Sequence, residues 1–439
     1  MKALAAAVLA LAFAAPAHTA SYVGSYRLPR TAEPVAISVD VSGARAVVAL
    51  GPGHAGRQVV PVKRSRFRLP GDVRFDLRAH TMTQGKLRGT LQLKKGSSRA
   101  LNALGLYHGP NGTAVAIVQA QGLPTWLVEL PSGDIHGLNA ALTTAGARLA
   151  DTSGAPVAVS ADAVTWNGVH YARARLRQRE VRVGAIAATL TIPEGAGPFP
   201  AVVMTHGSGP HARDEFQVFA AYCELLGIAV IADDKRGIGE SQGTYPGEAA
   251  TPHTLDVLAR DAQAEARYLA SLPQIDKTRI GVLGDSQAGW VIALAAAREQ
   301  RFRWAVPLVG PTVTVDESDA WGTLAGKGES PPSGSQAEMT AQARAARGGF
   351  DPAPSLRKLA IPVHWVFTDD DRNVPTALCV ERLEQLKQGH DFTWEVVHAT
   401  HTLLELPNGL NESIPRSRGF ARELFPSVGA FLRRIGVVT

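Results

Sequence analysis

Residues 177–439 alternate short apolar segments with longer amphipathic ones, and this pattern restricts the fold more than any other feature of the chain. Apolar stretches with the length of buried strands lie at residues 201–205, 228–232, 279–283, 304–308, 361–367 and 392–397. Segments with helical spacing lie at residues 215–226, 255–271, 287–298, 376–387 and 422–434. Such alternation is typical of a mostly parallel sheet with helical crossovers. We therefore predict an α/β domain over residues 177–439, opened by a hairpin at residues 181–183 and 187–192.

One segment of this domain, residues 311–354, lacks the pattern and is rich in glycine, serine and proline. A long stretch without regular structure inside a compact domain is usually a lid or a binding loop. We predict a short, irregular lid over these residues.

The first part of the chain shows a different pattern. Short β-rich runs lie at residues 34–41, 46–50, 58–62, 87–93, 113–119 and 126–130, and glycine, proline, asparagine or aspartate bounds each of them. Such spacing predicts an antiparallel β-rich domain over residues 21–172, either a sandwich or a partial barrel. Residues 138–150 are the exception, because their composition predicts one short helix. A chain of 439 residues is also long enough for two domains.

The first residues have the features of a secretory signal peptide. Lys2 precedes an unbroken apolar run over residues 3–15, and Ala15-Pro16-Ala17 places small residues at a cleavage position. The run is shorter than the roughly 20 residues that a membrane-spanning helix needs. We predict that residues 1–17 are removed and that the protein is secreted or periplasmic, with no membrane span.

Charge and cysteine content limit the remaining possibilities. The formal net charge is +6 and the pI is near 9.4, but the basic residues are dispersed. Nucleic-acid binding needs basic patches with interleaved aromatic side chains on one element, so we expect no nucleic-acid partner. Two cysteines do not form a disulfide framework. Cys223 and Cys379 lie on different predicted helices, and we expect no bond between them.

A candidate nucleophile lies between a predicted strand and a predicted helix. Residues 284–289 are Gly-Asp-Ser-Gln-Ala-Gly, and they place Ser286 between a strand and a helix, where a sharp turn can expose a nucleophilic serine. The usual pattern is G-x-S-x-G, so Ala288 departs from it by one methyl group. Alone the match is weak, because a helix-capping serine in an ordinary turn fits it equally well.

A glycine-rich turn after the strand at residues 201–205 supports the catalytic interpretation. Residues 206–210 are His-Gly-Ser-Gly-Pro. The backbone N–H of Ser208, with Gly207 as the alternative, and that of Gln287 are predicted to bind the oxyanion of a tetrahedral intermediate. We expect His206 to be structural and to tie this turn to neighbouring backbone.

The acid of a catalytic triad is expected after a late strand, where residues 369–371 supply three aspartates in a row. Asp371 is the predicted acid, because the following Arg-Asn-Val-Pro places it where the loop turns into the next helix. Asp369 and Asp370 are the local alternatives, and Asp316 is a more distant one. Loop solvation and helix capping remain the other explanation, which we favour for Asp369.

The base is expected last. His398 and His401 both follow the final predicted strand. We choose His401, which lies deeper in the loop, and expect His398 to be a packed core residue. The order Ser286, Asp371, His401 is the order that α/β-hydrolases use. This histidine pair lacks acidic or cysteine partners at metal-binding spacing, so no metal is predicted.

A further turn, residues 234–241, is Asp-Lys-Arg-Gly-Ile-Gly-Glu-Ser. We interpret it as a turn with ion pairs in which Asp234 and Arg236 brace the active-site loops, and we predict no chemistry there. No phosphate-binding G-x-x-x-x-G-K motif is present in the sequence.

Four of these motifs resemble those of bacterial α/β-hydrolase fold esterases, in the broad group that includes dienelactone hydrolases and prolyl-oligopeptidase-type peptidases. They are the glycine-rich turn at residues 206–210, the turn at residues 234–241, the elbow at residues 284–290 and the acid loop at residues 371–375. The resemblance covers residues 178–439. It implies an eight-stranded, mostly parallel sheet with helices on both faces, and hydrolysis through an acyl-enzyme without cofactor or metal. It also implies that the helices of Cys223 and Cys379 pack on opposite faces of the sheet. We identify no family for residues 21–170.

The expected function is therefore that of a secreted serine hydrolase acting on a small acyl ester. A peptidase or aminoacyl hydrolase is the alternative within the same chemistry, disfavoured because no large propeller is available to gate peptides. A binding protein built on a hydrolase scaffold is a third possibility, since fold does not imply function. The sequence predicts neither the natural substrate nor the oligomeric state.

Overall fold

A computed structural model describes most of the chain. The described residues are 20–27, 35–42, 45–50, 58–61, 66–69, 73–79, 81–84, 87–95, 104–118, 126–143, 146–151, 153–160, 162–411 and 417–439. The predicted signal peptide, residues 1–17, lies outside them. The chain divides into two compact units, Met1–Ala49 with Val59–Gly96 and Leu50–Gln58 with Ser97–Thr439.

The strands between residues 20 and 95 form one eight-stranded sheet in the order β4-β3-β2-β1-β8-β7-β6-β5. Its strands are β1 (Ala20–Arg27), β2 (Val35–Ser42), β3 (Arg45–Leu50), β4 (Gln58–Pro61), β5 (Arg66–Leu69), β6 (Val73–Asp76), β7 (Thr81–Gln84) and β8 (Leu87–Lys95). Pairing is antiparallel on both sides of β1 and from β5 to β8. The predicted strands at residues 34–41, 46–50, 58–62 and 87–93 are confirmed to within two residues.

The second unit begins with a closed barrel in the order β10-β11-β12-β13-β14-β15-β16-β9. Its strands are β9 (Gly105–His108), β10 (Ala114–Val118), β11 (Trp126–Leu130), β12 (Ile135–Thr143), β13 (Gly146–Asp151), β14 (Pro156–Val159), β15 (Ala163–Trp166) and β16 (Val169–Arg173). Large buried side chains such as Tyr107, Leu127 and Trp166 fill its interior. Closure removes the free sheet edges at which strands aggregate.

The short helix predicted over residues 138–150 is wrong, because these residues belong to β12 and β13. The two strands pair antiparallel from Leu138 opposite Asp151 to Thr143 opposite Gly146. Alanine and leucine favour a helix locally, but β-structure depends on the neighbouring strands. Here β11 and β14 complete the pairing on either side.

The barrel and the α/β sheet that follows lie in one compact unit, and the sheet of β1–β8 lies mostly in the other. The proposed single domain over residues 21–172 stays a prediction. So does its separation from residues 177–439.

The α/β part contains an eight-stranded sheet in the order β17-β18-β20-β19-β21-β22-β23-β24. Its strands are β17 (Arg177–Val183), β18 (Ile186–Ile192), β19 (Phe199–Thr205), β20 (Ala229–Asp233), β21 (Ile275–Asp285), β22 (Phe302–Leu308), β23 (Val363–Asp370) and β24 (Phe392–Thr400). The first two strands pair antiparallel, as do β18 and β20, and all other pairs are parallel. This is the α/β-hydrolase sheet that the sequence predicted.

Helices cover both faces of this sheet. They are α1 (Gln217–Leu225), α2 (Pro252–Ala270), α3 (Ala288–Arg298), α4 (Val315–Ala325), α5 (Gln336–Ala345), α6 (Ala353–Leu356), α7 (Thr376–Leu386) and α8 (Leu424–Arg434). One apolar core joins the sheet to α2, α3 and α7, and the other joins it to α1 and α8. No helix in the described part of the chain is both long and apolar enough to cross a bilayer.

Side chains of the barrel also pack into the core beneath α1 and α8. Leu106 of β9, Ala116 of β10 and Val128 of β11 pack in the same cluster as Val218 of α1 and Phe425 of α8. The barrel is thus joined to the α/β sheet by shared apolar burial, which is the dominant stabilising term in such contacts.

The two cysteines are both buried and unbonded. Cys223 lies on α1, in the core shared with the barrel, and Cys379 lies on α7, in the core on the opposite face of the sheet. The expectation that they do not bond therefore agrees with their positions.

The irregular structure predicted for residues 311–354 is wrong. This segment contains helices α4, α5 and α6. Thr314 caps α4 in a reciprocal capping box with Glu317, and Ser335 caps α5 in the same way with Glu338. Each box satisfies two backbone donors that a helix start otherwise leaves unpaired. Whether the segment acts as a lid stays a prediction.

Candidate active site

Ser286 lies in a sharp turn between the end of β21 and the start of α3. Its backbone φ is +53°, and its N–H donates to the carbonyl of Leu308 at 2.9 Å. A positive φ strains a residue that has a Cβ, and such strain is concentrated at functional sites. Gly284 makes the turn possible, since a Cβ there would overlap the Thr205 carbonyl oxygen.

The departure from G-x-S-x-G at Ala288 has a structural explanation. The Ala288 methyl group is fully buried, whereas a Cβ at Gly289 would lie 2.6 Å from the backbone of Gly310. The close backbone approach in this elbow therefore occurs at Gly289, one residue later than in the usual pattern.

Three side chains from distant parts of the sequence meet at this turn. The Ser286 Oγ lies 2.9 Å from His401 Nε2. On the other side of the ring, His401 Nδ1 lies 3.0 and 2.9 Å from the two carboxylate oxygens of Asp371. The structure thus brings Ser286, His401 and Asp371 into one hydrogen-bonded chain at the carboxyl ends of the parallel strands.

The Asp371 carboxylate is held rigidly by its own loop. Its Oδ1 accepts the N–H of Asn373 at 2.8 Å and that of Val374 at 2.7 Å, and the side chain is fully buried. Trp321 of α4 donates its indole N–H to the Asp371 carbonyl at 3.1 Å. The carboxylate therefore presents a fixed pair of acceptors to the imidazole.

Electrostatics favour proton uptake by His401. Burial acts to lower its pKa, but the charge and hydrogen bond of Asp371, with a contribution from Asp285, outweigh burial and raise the pKa above its ordinary value. A raised pKa strengthens a histidine as a base. The ring is also held by its loop, in which Leu403 N–H donates to the Thr400 carbonyl at 2.9 Å.

The other acid and base candidates lie elsewhere. The expectation that His398 packs in the core is wrong: its side chain is 85% exposed and pairs with Asp369 at 2.8 Å. His398 lies on β24 and faces solvent, whereas the next residue, Ala399, is buried. Asp370 pairs with Arg372, and Asp316 lies on α4 beside Gly348.

The glycine-rich turn after β19 lies against the nucleophile, where a Cβ on Gly207 would be 3.3 Å from the Ser286 Cβ. The Gly207 N–H already donates to Asp285 Oδ1 at 3.0 Å, which leaves Ser208 as the donor from this turn. Within the described residues, neither the Ser208 N–H nor the Gln287 N–H donates a hydrogen bond. These are the two amide groups that were predicted to bind the oxyanion.

His206 has the structural role expected for it. Its Nδ1 lies 2.9 Å from Glu215, and its Nε2 lies 2.7 Å from the Asp233 carbonyl oxygen. Burial acts to lower its pKa, but Asp233 and Glu215 outweigh burial and raise the pKa to about 10. The ring therefore carries a buried positive charge that ties the turn to β20.

The turn at residues 234–241 forms the ion pairs expected of it. Asp234 pairs with Arg213, and Arg236 pairs with Asp261. Lys235 was predicted to have no role, although its ammonium group donates to two carbonyl oxygens of the glycine-rich turn. The available signal was a lysine soon after the buried strand β20, which only β19 separates from the nucleophile's strand β21.

No metal cluster is found among the described residues, since no three histidine, cysteine, aspartate or glutamate side chains are grouped to hold an ion. The polar groups at the elbow are instead arranged as a donor–acceptor chain, and the two amides of Ser208 and Gln287 donate no hydrogen bond within the described residues. Such an arrangement can activate a hydroxyl group and stabilise a nearby oxyanion.

Comparison with known proteins gives matches to part of the chain, and the matched family segment includes Ser286 but not Asp371 or His401. Residues 196–333 match the family described as serine aminopeptidase, S33. The chain is 32% identical over 133 residues to the esterase EstD of Thermotoga maritima, covering 28% of this chain and 30% of the relative. It is 32% identical over 130 residues to the esterase FrsA of Klebsiella pneumoniae, covering 29% of each.

A solved structure of the Pyrococcus furiosus esterase Pf2001 aligns with 60% of this chain and 91% of its own at 18% identity, with a TM-score of 0.42. The resemblance to α/β-hydrolase serine esterases is confirmed by the family and sequence matches. The matched region spans less than a third of the curated relatives named above.

Proposed function

We propose that the protein is a serine hydrolase that cleaves carboxylic esters of small molecules through an acyl-enzyme intermediate. The observation that carries this proposal is the unbroken chain from Ser286 Oγ through His401 to Asp371. The esterase names of the two relatives support ester bonds as the substrate class.

The first step is proton transfer from Ser286 to His401. Both carboxylate oxygens of Asp371 face His401 Nδ1, so the proton of the neutral ring stays on Nδ1 and Nε2 is left as an acceptor. Nε2 takes the hydroxyl proton as the Ser286 oxygen attacks the acyl carbonyl. Asp371 then stabilises the imidazolium that forms.

The tetrahedral intermediate carries a negative oxygen. We assign its stabilisation to the N–H groups of Ser208 and Gln287, which stand on the two backbone segments beside Ser286. Fixed donors of this kind contribute about 3–4 kcal/mol each to transition-state stabilisation. His401 next protonates the leaving alcohol, and the acyl group remains on Ser286.

Deacylation repeats these steps with water as the nucleophile. His401 removes a proton from water as the water oxygen attacks the acyl carbon. The Ser286–acyl bond then breaks, His401 returns the proton to the Ser286 oxygen, and the carboxylic acid leaves. The chain's own residues suffice for each step, and we propose no cofactor or metal.

A second candidate is an aminopeptidase or aminoacyl hydrolase, favoured by the family description serine aminopeptidase, S33. The same triad would act on an amide, but a substrate with a free amino terminus needs an acidic group near the site to bind the amine. A panel of aminoacyl p-nitroanilides beside short acyl esters distinguishes the two candidates.

The decisive experiment compares the wild type with Ser286→Ala on p-nitrophenyl acetate and on that panel. We expect wild-type turnover of the ester and a loss of at least about 10³-fold in the variant, at an unchanged melting temperature. Ser208→Ala is the matched control, because it removes a neighbouring hydroxyl and keeps the backbone N–H. Retained ester turnover in a folded Ser286→Ala variant would refute the proposal.

We also propose that the protein is exported and that residues 21–172 form a β-rich domain apart from the catalytic one. The apolar run at residues 3–15 and the change of pattern near residue 175 support these proposals. N-terminal sequencing of the protein from the periplasm or medium tests the first, with a start after residue 17 expected. Limited proteolysis between residues 172 and 177 tests the second.

A further inference from the structure

Lys235 is a buried lysine that binds the glycine-rich turn from behind. It follows β20, and only 2% of its surface is exposed. Its Nζ donates to the carbonyl oxygen of Gly207 at 2.6 Å and to that of Gly209 at 3.0 Å. A buried ammonium group is costly to desolvate, so its retention here needs an explanation beyond packing.

The first of these bonds fixes the direction of one particular amide. The Gly207 carbonyl and the Ser208 N–H belong to the same peptide group, and in a trans peptide they point in opposite directions. Its hydrogen bond to Lys235 fixes the direction of the Gly207 carbonyl. The Ser208 N–H is therefore held pointing away from Lys235.

The rest of the turn is held as well. Asp285, which precedes the nucleophile, accepts the Gly207 N–H at 3.0 Å, and the His211 ring lies against the Ser208 carbonyl oxygen. Because Gly207 is bound at both its N–H and its carbonyl, the peptide plane between it and Ser208 cannot rotate freely. The turn is thus pre-organised before any substrate binds, which is the condition for effective oxyanion stabilisation.

We propose that Lys235 is a positioning residue of the oxyanion hole, which acts through the Gly207–Ser208 peptide to aim the Ser208 N–H at the reacting carbonyl oxygen. The inference rests on the proposed function, since it presumes that Ser286 attacks an acyl group. Lys235 makes no hydrogen bond to Ser286 or His401 among the described residues, so it takes no part in proton transfer.

The surroundings of Lys235 are consistent with a charged ammonium group. The acidic groups that act on it are Glu215, Asp285, Asp233 and Glu248. Burial lowers the pKa of Lys235 to about 8, against the opposing effect of these carboxylates. The ammonium charge also polarises the Gly207–Ser208 peptide, which makes its N–H a stronger donor to an oxyanion.

The test replaces Lys235 with methionine, which keeps most of the side-chain volume and removes the donor. Lys277→Met is the matched control. Lys277 is an exposed lysine near the start of β21, the strand that ends next to Ser286. Two quantities are measured for each protein: steady-state kinetics on p-nitrophenyl acetate, and inhibition by an alkyl trifluoromethyl ketone. This ketone forms a tetrahedral adduct with the serine and places an oxyanion in the hole.

In Lys235→Met we expect kcat to fall about 10- to 100-fold with KM within about twofold, less than the loss of a whole oxyanion donor. The inhibition constant of the ketone should rise by the same factor as kcat falls. The Lys277→Met control should match the wild type. A purely structural role would lower the melting temperature without this parallel loss of kcat and ketone affinity.

Wild-type kcat and ketone affinity in a folded Lys235→Met variant would overturn the inference. If methionine prevents folding, Lys235→Arg carries the test, because a planar guanidinium keeps the charge but cannot place one compact donor between two carbonyl oxygens. We expect a smaller parallel loss of both quantities in that variant, and wild-type values there would also overturn the inference. Absence of hydrolysis and ketone binding in the wild type would instead refute the proposed function, and this inference with it.

Discussion

Replacing Asp371 with asparagine should disable the site by locking His401 in the wrong tautomer. In the wild type, Oδ1 accepts the N–H groups of Asn373 and Val374, while both oxygens face His401 Nδ1. Two fixed backbone donors require the amide oxygen of the asparagine at the Oδ1 position. The amide NH2 then faces the ring, so Nδ1 must accept and the proton moves to Nε2. A neutral ring that carries its proton on Nε2 cannot accept the proton of Ser286 there.

The size of the effect follows from this geometry. Loss of the reactive tautomer in serine triads lowers kcat by about 10⁴-fold, or roughly 5 kcal/mol in the barrier. The free energy of unfolding should change much less. Both backbone bonds to Asp371 survive as neutral hydrogen bonds, each weaker by roughly 1 kcal/mol than its charge-assisted form.

The assay is steady-state hydrolysis of p-nitrophenyl acetate, with urea unfolding as the check on stability. Asp369→Asn and Asp370→Asn are matched controls from the same aspartate run, since Asp369 pairs with the exposed His398 and Asp370 with the half-buried Arg372, and neither contacts His401. Both should retain wild-type kcat. An Asp371→Asn variant with kcat within tenfold of the wild type would refute the tautomer reasoning, as would an equal loss in either control.

Three further results are expected. Because the pKa of His401 is raised and only the neutral ring accepts a proton, kcat/KM for the ester should rise with pH through an apparent pKa above 6.5; a lower value would contradict this. His206, whose pKa is raised to about 10, contributes stability that is complete below about pH 6.5 and declines toward pH 10, by at most about 1.4 kcal/mol per pH unit. Urea unfolding should show this decline from about pH 6.5 to 8 in the wild type and a shallower decline in His206→Gln, where His401, whose pKa is also raised, still contributes. Above about pH 8 the buried Lys235 deprotonates and opposes the decline. Cys223 and Cys379, buried in separate cores, should both react with iodoacetamide only after unfolding, and a disulfide in the intact mass would contradict their positions.

Much of the α/β part was predictable because buried parallel strands and amphipathic helices leave strong periodic patterns. The strands at residues 201–205 and 392–397 and the helix at residues 376–387 were each located to within about three residues of their observed bounds. The gathering of Ser286 and His401 also follows from sequence, since the carboxyl ends of parallel strands share one edge of the sheet.

The errors have separate physical causes. Residues 138–150 have helix-favouring composition, but pairing within the barrel decides their structure. Residues 311–354 are helical because of capping boxes at Thr314 and Ser335, a local pattern that was present in the sequence and outweighed by the glycine and proline content. His398 was expected to pack in the core, but strand alternation turns it toward solvent.

The contacts of Lys235 could not be derived from sequence. They depend on the carbonyl oxygens of Gly207 and Gly209, and the direction of a carbonyl in a turn is set by backbone dihedral angles. Sequence pattern locates the turn but does not give the orientation of each peptide plane. Chemistry that acts through backbone groups is therefore the part of this site that required the structure.

Covalent labelling tests the central claim most directly, because it asks whether Ser286 is the hydroxyl that His401 activates. The wild type is treated with a fluorophosphonate probe and digested, and the adduct is located by mass spectrometry beside a His401→Ala control. The expected result is an adduct on Ser286 in the wild type and a loss of labelling in the control. No adduct, or an adduct on another serine such as Ser208, would contradict the proposed site.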